Sequence, residues 1–487
     1  MAKKLSTVRD EEREVSRRAL IKWSLAAGAA LGVGRGKIVE ILEKTAGKRT
    51  AEAAATSTTK RSVHIRAGTG GLAWWQLMWP HNDVAAAKNT AFAWPQQFFS
   101  GTQTKVLTGV GGQKLTTGPN SAFASLDATK QWTAVMGGSN EQHTQTPISI
   151  ARSVSAGSMF AIASVLQNEV ASVVPVITVD NQDFGTAPGA GQPSIVPTAD
   201  DIVGLFNSVA SRSNHLLANS VHADLYRAQY QTLASLNRAS TLSTTKTAYH
   251  TARSAATFLG TNLAAQLQLS AADLTAYGLD STEFNAISGN SGNGLQKDMV
   301  MTFGKTLAVT AKAFALGLTS SVVVPAMSDD PHGAFGSGGM LTNNSLNVLV
   351  SLQRIMDGFM ADLATKTDKV TTEKLSDNIV ITIEGDTPKT PVDNNTWPDT
   401  TASNSNWGYI YSGGSLKSGW FGGIDRNNNA KGFDPGTGAV ATLDNDKGAK
   451  ALVTAAAYAI AKGDKRRVGD FSTLNIDGMI NTSGGQS

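Results

Sequence analysis

The chain of 487 residues is predicted to adopt an α/β fold, a three-layer αβα sandwich around a mostly parallel sheet. Short β-branched runs are almost continuously apolar, which is typical of parallel strands buried on both faces. Segments with helical periodicity and capping signals separate these runs. Hydrophobic residues make up 41% of the chain and cysteine is absent. A large core is therefore expected, and disulfides, zinc–thiolate sites and thiol nucleophiles are excluded.

Four runs are predicted strands because each is β-branched and ends at a polar or Gly-rich turn. They are Val63–Ile65, Val173–Val179, Ser321–Val324 and Ile379–Ile383. Carboxylates follow three of the four, namely Asp180, then Asp329 and Asp330, and finally Glu384. A carboxylate at such a place either faces a ligand, because ligands collect at the carboxyl ends of parallel strands, or caps the next helix.

Helices are predicted between and beyond these strands. Thr198 to Asp201 and Ser270 to Asp273 have the spacing of capping boxes. Leu346–Leu363 has the pattern of a long amphipathic helix, and Gly448–Ala461 that of an Ala-rich helix. Residues from about 200 to 280 show no strand pattern, which predicts a helical insertion. Asn, Thr, Ser and Gly dominate residues 386–445, which are therefore predicted to be surface loops.

The net charge of +4 belongs to the N-terminal segment. Residues 1–55 hold twelve basic and seven acidic residues, which leaves 30 basic and 31 acidic residues in the rest of the chain. Nucleic-acid binding needs a basic surface. No nucleic-acid partner is therefore predicted for the body of the protein.

That N-terminal segment contains Ser16–Lys22, where Arg17 and Arg18 resemble the twin-arginine export motif. The apolar stretch that follows, Trp23–Val33, is too short for a mature membrane-spanning helix, which needs about 20 apolar residues. Ala53–Ala55 offers small residues for a signal peptidase. We predict that residues 1–55 are a signal peptide read by the twin-arginine translocase. The mature protein would have no transmembrane span and would lie in the periplasm, at the cell surface or outside the cell. The alternative is a basic amphipathic helix.

The best metal-like cluster is Asp330-Pro331-His332, a carboxylate and an imidazole just after a predicted strand. Two ligands are fewer than the three or four that zinc requires. Glu384 follows another short β-branched run, so we expect it to lie close to Asp330 and His332 at the carboxyl edge of the same sheet. Motifs of P-loop nucleotide binding, of the serine-hydrolase nucleophile elbow and of zinc proteases are absent from the sequence.

Together these features resemble an exported bacterial family, domain-of-unknown-function family fifteen-oh-one, of the alkaline-phosphatase-like fold group. The similarity extends loosely over 60–465 and is clearest over 296–425. Asp330-Pro331-His332 is similar to the family's Asp-Thr-His motif, Glu384 to the acid of its Ser-Glu-Phe-Gly strand end, and His143 to an earlier Ser-His position. The resemblance implies an alkaline-phosphatase-like domain over 60–465, a C-terminal tail over 466–487, and metal-dependent phosphoester or sulfate-ester hydrolysis.

Two departures from the family pattern change the functional expectation. Asn406-Trp407 stands where the family has Asp-His, and Leu72-Ala73 stands where it tends to have Asn-Asp. Two-metal sites use carboxylates and imidazoles to hold ions about 3.5–4 Å apart. Of the ligands that the resemblance implies, Asp330, His332 and Glu384 remain. They suffice for at most one weakly held divalent metal ion. We therefore expect a pseudoenzyme, a non-catalytic protein with a binding or assembly role at the cell envelope; the alternative is a hydrolase with ligands elsewhere in the chain.

Tryptophans crowd several segments that have loop-like composition. They are Trp74, Trp75, Trp79, Trp94, Trp397, Trp407 and Trp420. Exposed aromatic rings would be anchors for an envelope protein or a glycan, whereas buried ones would only pack the fold.

Overall fold

The structure is a computed structural model that describes thirteen parts of the chain. These are residues 59–66, 105–108, 114–117, 132–139, 151, 157–170, 172–180, 183–214, 263–288, 297–326, 343–385, 401–424 and 429–481. The export motif with Arg17 and Arg18 lies outside the described residues, and so do His143, Asp330 and His332.

Thirteen strands are present in the described residues. In chain order they are β1 (Arg61–Arg66), β2 (Lys105–Thr108), β3 (Lys114–Thr117), β4 (Trp132–Ser139), β5 (Val176–Val179), β6 (Ser194–Val196), β7 (Ser321–Pro325), β8 (Ile379–Glu384), β9 (Ser405–Tyr411), β10 (Gly419–Phe421), β11 (Gly423–Ile424), β12 (Ala430–Phe433) and β13 (Val440–Ala441). Eight of them form the main sheet in the order β10-β4-β9-β8-β1-β7-β5-β6. Strands β2 and β3 form a hairpin, and β11 to β13 form a small antiparallel sheet.

The main sheet is mostly parallel. Only β9 among its strands runs antiparallel to its neighbours, β4 and β8, and the other strand pairs of the sheet are parallel. All four predicted strands are present, as β1, β5, β7 and β8. Strand β5 begins at Val176, later than predicted, because residues 173–175 form a bend that ends in Pro175.

Nine α-helices are present in the described residues. They are α1 (Met159–Leu166), α2 (Ala199–Asn214), α3 (Leu263–Leu267), α4 (Ala271–Ala276), α5 (Thr282–Asn285), α6 (Lys297–Leu316), α7 (Asn343–Thr365), α8 (Asn445–Ile460) and α9 (Lys465–Gly469). Both predicted capping boxes are confirmed. The Asp201 carboxylate accepts from Thr198 N at 3.0 Å, and the Asp273 carboxylate accepts from Ser270 N at 2.7 Å. The described parts of the predicted insertion are helical.

Helices cover both faces of the sheet and enclose two cores. Side chains of β1 alternate between the two faces, as in any strand. Val63 and Ile65 share the first core with residues of α6 and α7, whereas Val323 of β7 and Val380 of β8 share the second core with residues of α1 and α8. The α/β class predicted from the sequence is therefore confirmed, with a mostly parallel sheet between helices.

The prediction of surface loops over 386–445 was wrong for much of the segment. Strand β9 is buried along its whole length and lies inside the sheet, between β4 and β8. Trp407, Tyr409 and Tyr411 alternate along β9 and pack into the first core, which Trp420 of β10 also joins. Trp407 is 3% exposed and Trp420 is 1% exposed, so neither ring is a surface anchor. The other five tryptophans named above lie outside the described residues.

Residues beyond 465 also belong to the packed domain. Val468, Ile476, Met479 and Ile480 are buried in the second core, so the domain extends past the predicted boundary to at least residue 480. Within the described part of the chain, α6 is the one helix with the length and composition to cross a membrane. Its mean hydropathy is 1.2, and 67% of that stretch is buried inside the protein.

Candidate functional site at the carboxyl edge of the sheet

The carboxyl ends of β7, β1 and β8 lie side by side at one edge of the sheet. Arg66, the last residue of β1, is the register partner of Pro325 in β7 and of Glu384 in β8. The Arg66 carbonyl accepts a hydrogen bond from Ala326 N at 2.8 Å, which ties the end of β7 to that of β1. Glu384 therefore lies at the edge where ligands bind in parallel sheets. Asp330 and His332 follow β7 beyond the described residues, so the structure does not test whether they join Glu384.

Asp180 lies apart from this group. It follows β5, which is three strand positions from β8 in the sheet, or roughly 14 Å at the usual strand spacing. Its backbone is left-handed, with φ of 60°, and the residue is exposed. Asp180 and Glu384 therefore do not share one small ligand.

The carboxyl group of Glu384 is buried without a hydrogen-bond partner. The residue is 1% exposed, and neither carboxyl oxygen meets a donor with hydrogen-bond geometry. Burial raises the pKa of Glu384 to about 8, against smaller opposing effects of the nearby Thr382 hydroxyl and the Arg66 guanidinium. Burial disfavours the ionised form because the charge loses its hydration. Glu384 thus holds its proton at neutral pH, and its two oxygens remain available to a ligand.

Arg66 is held over an aromatic ring and by a main-chain carbonyl. It is 1% exposed, its Nη1 donates to the Asp183 carbonyl at 2.7 Å, and its guanidinium lies 5.7 Å from the centre of the Phe160 ring. Phe160 is in the first turn of α1, whose N-cap is Ser158. The helix therefore fixes the cation at the end of β1, beside Glu384.

A line of buried polar groups leads from the interior of the sheet to this edge, and sequence reasoning missed it. His64 is fully buried and faces Thr382, its register partner in β8. Its Nδ1 is 2.8 Å from Thr382 Oγ1, and its Nε2 is 3.1 Å from Ser62 Oγ. The Phe160 ring packs edge-on against the imidazole, with ring centres 5.1 Å apart. Burial lowers the pKa of His64 to about 3, so the imidazole is neutral at physiological pH. The alternation of the polar residues Ser62, His64 and Arg66 with the apolar Val63 and Ile65 was the signal in the sequence.

Asn406 and Trp407 point to opposite faces of the sheet because they are consecutive residues of β9. The Asn406 amide donates from Nδ2 to the Gly385 carbonyl at 2.8 Å, and its Oδ1 accepts from Trp407 N at 2.7 Å. Trp407 packs against Trp420 in the first core, with ring centres 6.3 Å apart. Asn406 thus secures the start of β9 to the end of β8, and Trp407 is a core residue.

The described residues do not supply a complete metal site. No group of three or more His, Asp or Glu side chains able to hold an ion is present among them. Glu384 is the one carboxylate at the end of β8, and a divalent ion there would need further ligands from outside the described residues. Comparisons of the chain with protein-family models, with curated proteins and with solved structures find no match.

Proposed function

We propose that this chain is an exported protein with a binding or assembly role at the cell envelope, on an alkaline-phosphatase-like scaffold that has lost its hydrolytic centre. The proposal joins the twin-arginine motif at Arg17 and Arg18 to the mostly parallel α/β sheet. Its ligand would be held at the carboxyl edge, by the ends of β1 and β8.

The non-catalytic part of the proposal rests on the hydrogen bonds of Asn406. Its amide group forms two hydrogen bonds within the backbone of the fold, to Gly385 and Trp407. Such an amide stabilises strand ends and lacks the negative charge that holds a divalent ion. The neighbouring Trp407 offers an N–H donor and no lone pair for a cation. The position that would supply two metal ligands in a hydrolase instead supports the sheet.

One observation favours the second candidate, a metal-dependent phosphoester or sulfate-ester hydrolase. Buried polar groups are almost always hydrogen-bonded, and Glu384 has two carboxyl oxygens that are not. A divalent ion would satisfy both oxygens and would ionise the carboxyl group. Asp330 and His332 would then be its further ligands.

Metal content and hydrolysis separate the two candidates. For the proposed binding protein we expect less than one zinc per chain after purification, and no turnover of nitrophenyl phosphate or nitrophenyl sulfate. Glu384→Gln should then change neither result, because it keeps the shape of the protonated acid. Two tightly bound metal ions, with turnover abolished in both Asp330→Ala and Glu384→Gln, would establish the hydrolase instead.

Export is tested separately. Replacing Arg17 and Arg18 together with Lys should retain the protein in the cytoplasm, because the translocase reads the arginine pair. The matched control replaces Lys3 and Lys4 with Arg, which keeps the charge and leaves the pair intact. Cell fractionation with an antibody measures the outcome, and normal export of the double-Lys variant would refute the assignment of the route.

A further inference from the structure

Five aromatic side chains form a continuous layer on one face of the sheet, across β4, β9 and β10. They are Trp132, Trp407, Tyr409, Tyr411 and Trp420, which we call the aromatic wall, and all five belong to the first core. Each residue is between 0% and 4% exposed. Ring centres are 5.9 Å apart for Trp132 and Tyr411, 6.1 Å for Tyr409 and Trp420, and 6.3 Å for Trp407 and Trp420. The wall is therefore one surface, on the side of the sheet that faces the first core.

The described elements do not account for the burial of the aromatic wall. Among the described helices, α8 packs closely against β4 and β9, but it does so from the side of the second core. The side chains of Ala402, Ile424 and Ala430 join the first core from the short elements that flank β9 and β10. A buried aromatic side chain removes about 150–250 Å² from water, so five of them need a larger cover than these three residues. We infer that chain outside the described residues lies over the wall.

The hand of the crossovers indicates which connection covers the aromatic wall. From β7 to β8 through α7, and from β6 to β7 through α6, the chain moves toward β10 across the first core. From β4 to β5 through α1 it moves toward β6 across the second core. These crossovers have the same hand, as connections between parallel strands nearly always do. Strand β1 is parallel to β8, and β9 is antiparallel to both β8 and β4, so β1 and β4 run in the same direction. The connection from β1 to β4 moves toward β10, so the same hand places it on the side of the wall.

Described elements fix both ends of the first part of this connection. It leaves β1 at Arg66 and reaches β2 at Lys105, and the hairpin of β2 and β3 packs beside β10, the edge strand of the sheet. Strands β1 and β10 are four positions apart in the sheet, or roughly 19 Å at the usual strand spacing. Residues 67–104 provide 38 residues for this distance. An extended chain advances about 3.3 Å per residue, so most of the segment is available to cover the wall.

The composition of residues 67–104 suits contact with an aromatic surface. Four of the chain's nine tryptophans lie in this segment, together with three phenylalanines. Its charged residues are Asp83 and Lys88 alone. Soluble proteins rarely expose an apolar patch as large as seven such rings would form. Residues 67–104 and the wall therefore each supply the apolar surface that the other needs to leave water.

We propose that residues 67–104 cross the sheet from β1 to β10 on the side of the first core, and that their tryptophans pack against the aromatic wall. The partner of this surface is a segment of the same chain. Trp74, Trp75, Trp79 and Trp94 are then packing residues of the fold, and the binding role proposed above uses other groups. The inference does not rest on that role.

Residues 215–262 are the strongest competitor for this place. They join α2 to α3, which pack against each other in the first core. Helix α2 contacts β6, which is five strand positions from β9, or roughly 24 Å at the usual spacing. Helix α6 contacts β7, between these two strands. Residues 215–262 also contain no tryptophan, so residues 67–104 fit the wall better.

The first test identifies the segment that lies over the wall. In the full chain, p-azidophenylalanine replaces Tyr409, irradiation joins the azide to its neighbours, and mass spectrometry identifies the joined peptides. The matched control carries the same group in place of Phe421, whose ring packs against Phe433 in the second core. We expect position 409 to capture residues 67–104, and position 421 to capture Phe433 or α8. Capture of residues 215–262 from position 409, or of the neighbouring strands alone, would overturn the proposal.

The second test leaves the wall unchanged. The full chain is labelled with 5-fluorotryptophan, and each ¹⁹F resonance is assigned by its loss when that residue is replaced with Phe. A soluble gadolinium chelate broadens the resonances of exposed rings. We expect the resonances of Trp74, Trp75, Trp79 and Trp94 to broaden as little as that of the fully buried Trp132. Broadening of these four like that of free fluorotryptophan would refute the proposal. Failure of the proposed function would appear in metal content and turnover instead, which neither test uses.

Discussion

Strand β1 begins and ends with a buried arginine, and the two ends are built differently. Arg61 and Arg66 are each 1% exposed, and each guanidinium lies 5.7 Å from the centre of a phenylalanine ring. Arg61 forms an ion pair with the fully buried Asp368, with Nε and Oδ2 2.6 Å apart. Arg66 donates to the Asp183 carbonyl at 2.7 Å, and Glu384 beside it keeps both carboxyl oxygens without a hydrogen bond.

The difference separates a structural site from a candidate binding site. At the amino end both oxygens of the Asp368 carboxylate accept hydrogen bonds. Oδ2 accepts from Arg61, and Oδ1 accepts from Val370 N at 2.8 Å and from Thr371 N at 3.4 Å. At the carboxyl end a carboxyl group of equal burial retains its bonding capacity. Leaving a buried polar group unsatisfied costs about 1–3 kcal/mol. The folded protein bears this cost at Glu384, whereas at Asp368 hydrogen bonds remove it. Such local cost is common at functional sites.

The largest effect is expected from breaking the ion pair at the amino end. Asp368→Ala should lower the free energy of unfolding by about 3–5 kcal/mol, because Arg61 would remain buried without its counter-charge. Urea denaturation of the purified protein measures the change. Glu373→Ala is the control, since it removes a more exposed pair with Lys462 and should cost below about 1 kcal/mol. Equal losses in the two variants would contradict a structural role for the buried pair.

The pH dependence of stability sharpens the comparison, because burial raises the pKa of Glu384 and lowers that of His64. Glu384 keeps its proton in the folded state up to about pH 8 and loses it near pH 4.5 when unfolded. Its contribution to stability is therefore complete below about pH 4.5 and is lost as the pH rises toward 8. His64 takes up a proton near pH 6.5 when unfolded, but its folded-state pKa is about 3. Its contribution is complete above about pH 6.5 and is lost as the pH falls toward 3.

Between about pH 4.5 and pH 6.5 the slopes of these two groups cancel, so together they leave the unfolding free energy unchanged in that range. From pH 6.5 to pH 8 the unfolding free energy should fall by about 2 kcal/mol, since one proton contributes about 1.4 kcal/mol per pH unit. Glu384→Gln should abolish this decline, and His64→Gln should abolish the decline below pH 4.5. Urea denaturation at a series of pH values provides the measurement. A Glu384→Gln variant that keeps the alkaline decline would show that another group causes it.

The fold class and its central elements were predicted from local patterns. Apolar β-branched runs identified β1, β5, β7 and β8, and cap spacing identified the starts of α2 and α4, because these signals depend on residues that are close in the chain. Strand β9 was missed because Ser, Asn and Gly mask its pattern. The alternation of Trp407, Tyr409 and Tyr411 was present in the sequence, but only the neighbouring strands make that segment a buried strand.

The sequence by itself determined that Glu384 follows a buried strand, and hence that it lies at the carboxyl edge of the sheet. Only the tertiary structure decided which buried groups are satisfied. Arg61 meets Asp368 across 307 residues of chain, and His64 meets Thr382 across 318. No local pattern encodes such contacts, because a hydrogen bond depends on positions within tenths of an ångström that the packing of distant elements sets. The unpartnered carboxyl group of Glu384 is therefore a property of the folded chain.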